Sequence, residues 1–335
     1  HRDLHSFPTR RSSDLNEAPP AIISVFLGEK LTQILENIQR GKVTKATNAD
    51  LIDLGIFSLP TLSKDNTDRN RTSPFAFTGD KFEFRAVGSS QNISFPAMVI
   101  NTIVAESLDE LAEKIKTKNS KNINQAVLEV LKEEISYSKA VLFNGDNYSR
   151  EWEIEAARRG LPNEKTTPTA LKALTTVKAL NLFEKYQVLS NPELKSRQLI
   201  HVDRYIKDLE IEVKCLNTLC TSQIIPAAVV YQKKLADAIN STRQALGNAA
   251  SVTAEIELLK KITDLINSIH ATNKEIQVKI EAANALHDEQ KKAEMLRAKV
   301  KPKKEELREY EAALEILVDD DIWPVPKFWE MLFIC

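Results

Sequence analysis

Glycine and cysteine are both scarce in this chain, and each scarcity narrows the range of functions. Only 8 of the 335 residues are glycine, and no two of them are spaced as G-x-G. The dinucleotide-binding fingerprint G-x-G-x-x-G and the phosphate-binding motif G-x-x-x-x-G-K-[ST] are therefore both excluded. The 3 cysteines are an odd number in a long chain and predict no disulfide framework. This favours a reducing, cytoplasmic location.

An excess of charge and a long hydrophobic run are also missing. The 46 basic and 47 acidic residues nearly balance, which gives no basis for a nucleic-acid or acidic-membrane partner. The longest apolar stretch, residues 97–105, is interrupted by Asn101 and Thr102, so no segment approaches the roughly 18 apolar residues of a membrane span. Apolar residues still make up 42% of the chain, enough for a globular core in about two domains.

The first fifteen residues, HRDLHSFPTRRSSDL, differ in origin from the rest. They show no periodicity and no secretory signal. The string matches, residue for residue, the translation of a widely used short-read sequencing adapter, whereas the alternative is a natural disordered basic tail. We treat residues 1–15 as non-native, expect them to make no core contacts, and expect the native sequence to begin at Asn16.

Residues 16–190 mix strand-like and helix-like patterns. Residues 21–27 form a β-branched apolar run, typical of a buried strand or the start of a helix. Residues 29–39 have helical spacing, residues 75–87 alternate as one strand, and residues 97–116 read as an amphipathic helix. This mixture predicts an α+β domain.

Residues 191–335 are almost wholly helical in pattern. Ser190 and Glu193 match a capping box, and apolar side chains between residues 252 and 269 form a coiled-coil-like seam. Because proline disrupts helices, Pro226 should kink or split one helix and Pro302 should break another. The spacing favours an antiparallel helical hairpin.

The last segment, residues 319–335, combines aspartates, prolines and aromatic side chains. Asp319, Asp320 and Asp321 should end the preceding helix in solvent. The prolines keep the following stretch extended, and its aromatic rings favour burial. We expect this tail to dock in a groove of its own domain or of a neighbouring subunit, and the helix before it favours the same chain.

Two short motifs carry the strongest chemical signal. Glu83-Phe-Arg85 places a carboxylate and a guanidinium on one strand face, where they suit a hard cation and a phosphoryl group, but a surface ion pair has the same pattern. Arg69-Asn-Arg71 suits an anion and is equally an ordinary polar loop.

The histidines and cysteines carry a weaker signal. His201, His270 and His287 should be solvated rather than ligands. Cys215 and Cys220 should be buried thiols, because no second cysteine pair completes a zinc site.

Three stretches resemble type III glutamine synthetases. Residues 16–28 (NEAPPAIISVFLG) are similar to that family's flap and following strand. Residues 77–96 (FTGDKFEFRAVGSSQNISFP) resemble its metal-binding strand, and residues 317–334 (LVDDDIWPVPKFWEMLFI) its C-terminal signature. The resemblance implies the C-terminal part of a catalytic domain, with antiparallel strands plus helices, over 16–190, and an antiparallel, coiled-coil-like helical C-terminal domain over 191–335.

The resemblance also implies a ligase of glutamine biosynthesis and nitrogen metabolism, which joins glutamate and ammonia with ATP through γ-glutamyl phosphate. By resemblance, Glu17 closes the glutamate site and takes a proton from ammonium. Arg71 stabilises the ATP phosphates, Glu83 binds Mg²⁺ or Mn²⁺, and Arg85 grips the reacting carboxylate and its phosphoryl group.

Two departures and one alternative accompany the resemblance. Ala76 stands where the shorter type I enzymes carry a second phosphate-binding arginine, and residues 28–68 form an insertion without an assigned function. The other metal ligands and the ATP-binding segment are expected upstream of Asn16, so this chain alone should be inactive. Stacked homo-oligomeric rings are implied. The alternative is a non-enzymatic helical coiled-coil interaction protein, in which Glu83 and Arg85 are an exposed ion pair.

Overall fold

The computed structural model describes residues 22–41, 51–52, 62–63, 73–78, 81–85, 92–118, 122–247, 251–327 and 330–333. The adapter-like residues 1–15 lie outside this part of the chain, as do Glu17 and Arg71. The chain divides into two compact units between Leu194 and Lys195. The domain boundary expected after residue 190 stays a prediction.

The first unit combines a small sheet with helices, in agreement with the predicted α+β class. Its strands are β1 (Val25–Phe26), β2 (Leu51–Ile52), β3 (Leu62–Ser63), β4 (Phe75–Phe77) and β5 (Phe82–Phe84). Its helices are α1 (Gly28–Gln39), α2 (Ser94–Thr117), α3 (Ile123–Ser138), α4 (Arg150–Arg158), α5 (Thr167–Leu171) and α6 (Val177–Lys185). β4 pairs in parallel with β1 and antiparallel with β5, while β2 and β3 pair separately.

The single strand predicted over residues 75–87 is wrong, because the chain folds back into a β4–β5 hairpin. The backbone N–H of Thr78 donates to the carbonyl of Lys81 over 2.9 Å, which closes the turn. The four residues of this turn are Thr-Gly-Asp-Lys, and glycine and aspartate both favour turns. The apolar alternation accordingly changes phase at the turn, from Phe75 and Phe77 to Phe82 and Phe84.

One core of the first unit is built around Trp152. Its ring stacks on Phe143 with 4.2 Å between centroids, and Ile22 and Ala156 complete the buried cluster. The Arg159 guanidinium lies 5.3 Å from the centre of the Trp152 ring, within the range of a cation–π contact. This cluster fixes the residues just before β1 against α4.

The second unit contains three helical rods that alternate in direction along the chain. The first rod consists of α7 (Asn191–Leu219), which starts at the end of the first unit, and α8 (Ile225–Leu246). The second rod is α9 (Thr253–Asn284). The third rod consists of α10 (Glu289–Met295) and α11 (Lys301–Leu317). Asn217 of α7 meets Asn273, and Gln232 of α8 meets Thr263, so α9 runs in the opposite direction. A three-helix arrangement replaces the expected two-helix hairpin.

Buried side chains recur at intervals of seven residues along each rod, as in coiled coils. They are Ile206, Val213 and Cys220 on α7 and its end; Ile262, Ile269, Ile276 and Ala283 on α9; and Ala293, Val300, Leu307 and Leu314 on the third rod. The coiled-coil-like seam predicted for α9 is confirmed.

Neither Pro226 nor Pro302 ends its rod, although a π-helical turn interrupts the α-helical pattern before each proline, consistent with the kink or split predicted at Pro226. A π-helical turn, Cys220–Ile224 or Leu296–Val300, ends two residues before each proline, and helix continues beyond it. Proline lacks an N–H and its ring crowds the carbonyl four residues earlier. Widening the preceding turn to the i→i+5 pattern accommodates that ring, so each rod continues through its proline.

By length and composition alone, the helix Asn191–Leu246 could cross a membrane, since its most apolar 18 residues have a mean hydropathy of 1.3. One such helix is weak evidence, because the core helix of a soluble protein passes the same test. The expectation of no membrane partner stays a prediction.

The tail begins in the expected place and docks on its own chain at Trp323, which is only 8% exposed. Lys327 is also buried, and its ammonium donates to the Val318 carbonyl over 3.1 Å and to the Asp320 carboxylate. Phe328 and Trp329 lie outside the described residues.

The aspartates that precede the tail were expected in solvent, but two of them make ion pairs. Asp319 accepts a hydrogen bond from Lys234 of α8 over 2.6 Å, and Asp320 pairs with Lys327. The Lys234 ammonium lowers the pKa of the Asp319 carboxyl. These aspartates therefore anchor the turn after α11.

Candidate active-site strand

The β4–β5 hairpin presents two chemically different faces. In the antiparallel register Phe75 lies opposite Phe84, and Phe77 lies opposite Phe82, with ring centroids 5.0 and 5.4 Å apart. Because successive side chains on a strand point to opposite faces, Glu83 projects away from these four rings. The phenylalanines therefore define which side of β5 carries the charged pair.

Glu83 and Arg85 contact each other on the second face. Arg85 Nη2 donates to Glu83 Oε2 over 3.2 Å, and the two side chains are 18% and 43% exposed, respectively. The Arg85 N–H donates to the carbonyl of Pro74 over 2.7 Å, which extends the hairpin ladder by one residue. The structure thus brings together the Glu83 carboxylate and the Arg85 guanidinium, which the sequence places on one face.

This geometry is compatible with a site and with a simple ion pair. A half-exposed carboxylate is accessible to a cation, and a guanidinium on the same face suits a carboxylate or phosphoryl group. An exposed ion pair alone contributes roughly 0–1 kcal/mol to stability. The pair's accessibility is therefore better suited to binding than to stabilising the sheet.

Ala76 lies directly opposite Glu83 in the hairpin and is completely buried. The resemblance aligns it with the position at which the shorter type I enzymes carry a second phosphate-binding arginine. A long cationic side chain would not fit this buried position without moving the sheet, so no phosphate contact is possible from Ala76 itself.

A buried polar cluster, which the sequence did not predict, joins the segments around the sheet. Ser24 and Ser73 share a hydrogen bond of 3.0 Å, and Ser24 also donates to Asn147 Oδ1 over 2.8 Å. All three residues are buried. Ser73 follows Arg71 by two residues and Ser24 follows Glu17 by seven, so the cluster joins the chain segments that follow both candidate residues.

A second set of contacts holds the start of α1. The Leu27 N–H donates to Asn144 Oδ1 over 3.1 Å, and the Asn144 amide donates to Thr32 over 3.1 Å. Residues 143–147 read only as a turn in the sequence. Nothing in their spacing reveals their partners more than a hundred residues earlier.

A separate cleft of about 430 Å³ lies between α1 and the end of α3. Arg159 lines it, but this guanidinium donates to the carbonyls of Ala140 and Leu142 over 3.2 and 2.8 Å and pairs with Glu155. These contacts, which close the end of α3, explain the position of the Arg159 guanidinium.

Metal-binding clusters are absent from the described part of the chain: no three His, Cys, Asp or Glu side chains there lie close enough to share an ion. His270 and His287 are exposed as predicted, and burial together with Arg204 and Arg197 lowers the pKa of the half-buried His201.

The prediction of two buried thiols is half wrong. Cys220 is buried, but Cys215 is exposed. Cys220 shares the seven-residue spacing of the core positions Ile206 and Val213. Cys215 lies five residues before it and therefore points outward on the same helix.

Comparison with known proteins gives consistent matches. Residues 126–243 match the family model described as the glutamine synthetase C-terminal domain. The chain is 39% identical over 323 residues to the type-3 glutamine synthetase of Dictyostelium discoideum, which covers 95% of this chain and 44% of that protein. Along 95% of its length, this chain therefore matches part of a type III glutamine synthetase. Nothing in these matches favours the non-enzymatic alternative.

Two bacterial glutamine synthetases agree with this assignment. Those of Bacteroides fragilis (strain YCH46) and Butyrivibrio fibrisolvens are 36% and 32% identical to the chain, over 95% of its length and 45% of theirs. The chain therefore spans less than half the length of the three glutamine synthetases that it matches.

Proposed function

We propose that this chain forms part of the active site of a type III glutamine synthetase, which ligates ammonia to glutamate at the expense of ATP. The observation that carries the proposal is the Glu83–Arg85 pair, whose charged atoms lie 3.2 Å apart and whose Glu83 side chain is 43% exposed. The pair lies in the stretch that resembles the family's metal-binding strand. The site would bind glutamate, ammonia and ATP in a cytoplasmic homo-oligomer of stacked rings.

Each candidate residue has a separate role in this proposal. Attack of the glutamate carboxylate on the γ-phosphorus of ATP forms γ-glutamyl phosphate and ADP, and Arg85 offsets the negative charge on the reacting groups. Ammonia then displaces phosphate at the γ-carbonyl carbon. Glu17 takes the proton that ammonium loses, and Arg71 contacts the nucleotide phosphates.

The metal requires more ligands than the described residues offer. Mg²⁺ takes six oxygen ligands in near-octahedral geometry, and the described residues contain no carboxylate cluster. They do not by themselves fit a complete metal site. We propose that Glu83 supplies one ligand for Mg²⁺ or Mn²⁺ beside others from the part of the relatives that this chain does not match, and that this chain alone is inactive.

The test uses a glutamine synthetase restored to the full length of its relatives. Arg85→Ala should lower kcat at least a hundredfold, because lost transition-state charge stabilisation is worth roughly 3–4 kcal/mol. Glu83→Ala should raise the Mg²⁺ or Mn²⁺ concentration that gives half-maximal activity. Initial rates across a metal titration measure both effects.

The matched control breaks another exposed ion pair of the same unit, Lys165–Glu153, whose charged atoms lie 3.2 Å apart. Lys165→Ala should leave kcat and the metal dependence unchanged. Near-normal kinetics in both Glu83→Ala and Arg85→Ala would contradict the proposal and leave the pair as a surface ion pair.

A further inference from the structure

A continuous line of contacts crosses the sheet at the level of Arg85. The Ser24 hydroxyl donates to Asn147 Oδ1 over 2.8 Å, and its oxygen lies 3.0 Å from the hydroxyl of Ser73. Ser73 is followed at once by Pro74, whose carbonyl accepts a hydrogen bond from the Arg85 N–H over 2.7 Å. The line therefore starts in the loop before α4 and ends at the backbone of the arginine proposed to act on the reacting groups.

The backbone along this line is stiff. Proline fixes its own φ, and the residue before a proline is confined to extended backbone, so the Ser73 side chain and the Pro74 carbonyl keep a nearly constant relation. On the other side, Ser24 immediately precedes β1, which pairs in parallel with β4. A displacement of Ser73 therefore moves the carbonyl that holds the Arg85 N–H.

The polar side chains of this line are buried and incompletely paired. Ser24, Ser73 and Asn147 are 0%, 1% and 5% exposed, and Asn147 Nδ2 is buried without a hydrogen-bond partner among the described residues. A buried donor without a partner is unfavourable, so stability alone does not account for the cluster. Hydrogen bonds are directional, and a buried network of them specifies one arrangement of the segments that it joins.

We propose that Ser24, Ser73 and Asn147 are positioning residues for Arg85, and that they fix where its guanidinium lies on the second face of the hairpin. The Arg85 side chain is only 18% exposed, so it follows its backbone more closely than a long side chain in solvent does. The inference rests on the proposed function and deepens it, because it adds three buried residues that act through Arg85.

The first experiment measures kcat in a glutamine synthetase restored to the full length of its relatives. Ser73→Ala should lower kcat about tenfold, because misplacing a reacting group by about 1 Å can lower a rate about a hundredfold. In an Arg85→Ala background the same substitution should have no further effect, since the residue through which Ser73 acts is gone. A substitution that only reduced the folded fraction would lower kcat by the same factor in both backgrounds.

A second serine and a matched control complete this experiment. Ser24→Ala should reproduce the effect of Ser73→Ala, and the double variant should add nothing, because both substitutions break the same line. The control is Thr102→Val on α2, which removes another buried hydroxyl of the first unit. Thr102 is 4% exposed and donates to the Met98 carbonyl over 2.8 Å within its own helix, so the control should leave kcat unchanged.

The second experiment uses this chain and needs no catalysis. Hydrogen exchange of the Arg85 N–H, followed by NMR, reports how often its bond to the Pro74 carbonyl opens. Ser73→Ala and Ser24→Ala should each speed this exchange several-fold, because each frees the segment that carries the carbonyl. Thr102→Val should leave the exchange of the Arg85 N–H unchanged.

Three outcomes would overturn the positioning role. They are unchanged kcat in both serine variants, the same fractional loss of kcat with and without Arg85, or Arg85 exchange that neither serine variant alters. The proposed function is judged separately, on Arg85→Ala alone. A large loss of kcat in that variant together with normal Ser73→Ala kinetics would remove only the positioning role, whereas near-normal Arg85→Ala kinetics would remove both.

Discussion

At the scale of single residues, the most informative group is the partly buried carboxyl of Glu311. The Cys220 thiol donates to Glu311 Oε1 over 2.6 Å inside the three-helix bundle. Burial raises the pKa of Glu311, while the Cys220 hydrogen bond and the nearby Arg308 partly oppose that rise. Burial likewise raises the pKa of the Cys220 thiol, so the thiol remains a donor at neutral pH.

The raised pKa fixes the sign of a pH dependence. When the folded pKa of an acid exceeds its unfolded value, the native state binds more protons between the two values, and the free energy of unfolding falls as pH rises. Glu311→Gln keeps an acceptor for Cys220 and removes the buried charge. We therefore expect it to raise the free energy of unfolding at pH 7.5, by a margin that disappears below pH 4.5.

Urea unfolding at pH 7.5 and at a pH below 4.5 measures how much Glu311→Gln changes the free energy of unfolding at each pH. Glu309→Gln, on an exposed position of the same helix, is the control and should change stability equally little at each pH. A Glu311→Gln protein that is no more stable than the parent at pH 7.5 would contradict the prediction.

Contacts between side chains were predictable where the two residues are close together in the sequence. Glu83 and Arg85 share a face because they are two residues apart on a strand. The contacts of Ser24 with Ser73 and Asn147 span 49 and 123 residues, and no periodicity connects such positions. The assignments of Glu17 and Arg71 stay predictions, since neither lies in the described part of the chain.

At the scale of secondary-structure elements, polar pairs set the register of the bundle. Asn273 is buried and its amide donates to Asn217 Oδ1 over 2.5 Å, while Gln232 donates to Thr263 over 2.6 Å. A seven-residue apolar repeat alone permits slippage by one heptad. A buried asparagine pair specifies a single register.

Removing one member of this pair should cost more than removing both. Asn217→Leu leaves the buried Asn273 amide without its partner, which we expect to lower the free energy of unfolding by roughly 1–3 kcal/mol. The double variant with Asn273→Leu should recover most of that loss, because two apolar side chains replace two polar ones. Denaturant unfolding of the double-mutant cycle measures the coupling.

Asn267→Leu on the exposed side of α9 is the control, with an expected change within about 0.5 kcal/mol. Equal losses from Asn217→Leu and from the double variant would show that the two amides are not coupled.

The elements themselves were predictable to different degrees. The α9 seam is confirmed because burial follows the same heptad as the sequence. The β4–β5 reversal was missed because the two short alternating runs were joined into one, although the apolar positions change from odd numbers (Phe75, Phe77) to even numbers (Phe82, Phe84) across the turn. The continuation of helix through Pro302 was not predicted, because a π-helical turn, which no sequence period reveals, relieves the clash that otherwise ends a helix.

At the scale of the whole molecule, the tail closes the second unit. Lys327 connects the tail to the end of α11 through the Val318 carbonyl and Asp320, and Asp319 connects the same turn to Lys234 on α8. The Lys327 N–H also donates to Glu330 over 2.7 Å. Residues 318–330 therefore hold the ends of two rods in place.

Removing residues 322–335 should lower stability by several kcal/mol. Burying Trp323 is worth roughly 1.5–3 kcal/mol from its apolar area, and the loss of Lys327 leaves the Val318 carbonyl without its donor.

The single substitution Trp323→Ala should cost about 3–5 kcal/mol, whereas Met331→Ala, at an exposed position, is the control and should change little. Trp323→Phe should be milder than alanine, because the indole N–H has no hydrogen-bond partner among the described residues. Thermal unfolding and sedimentation measure the outcome, and a truncated chain that keeps both its Tm and its association state would show that the tail is dispensable.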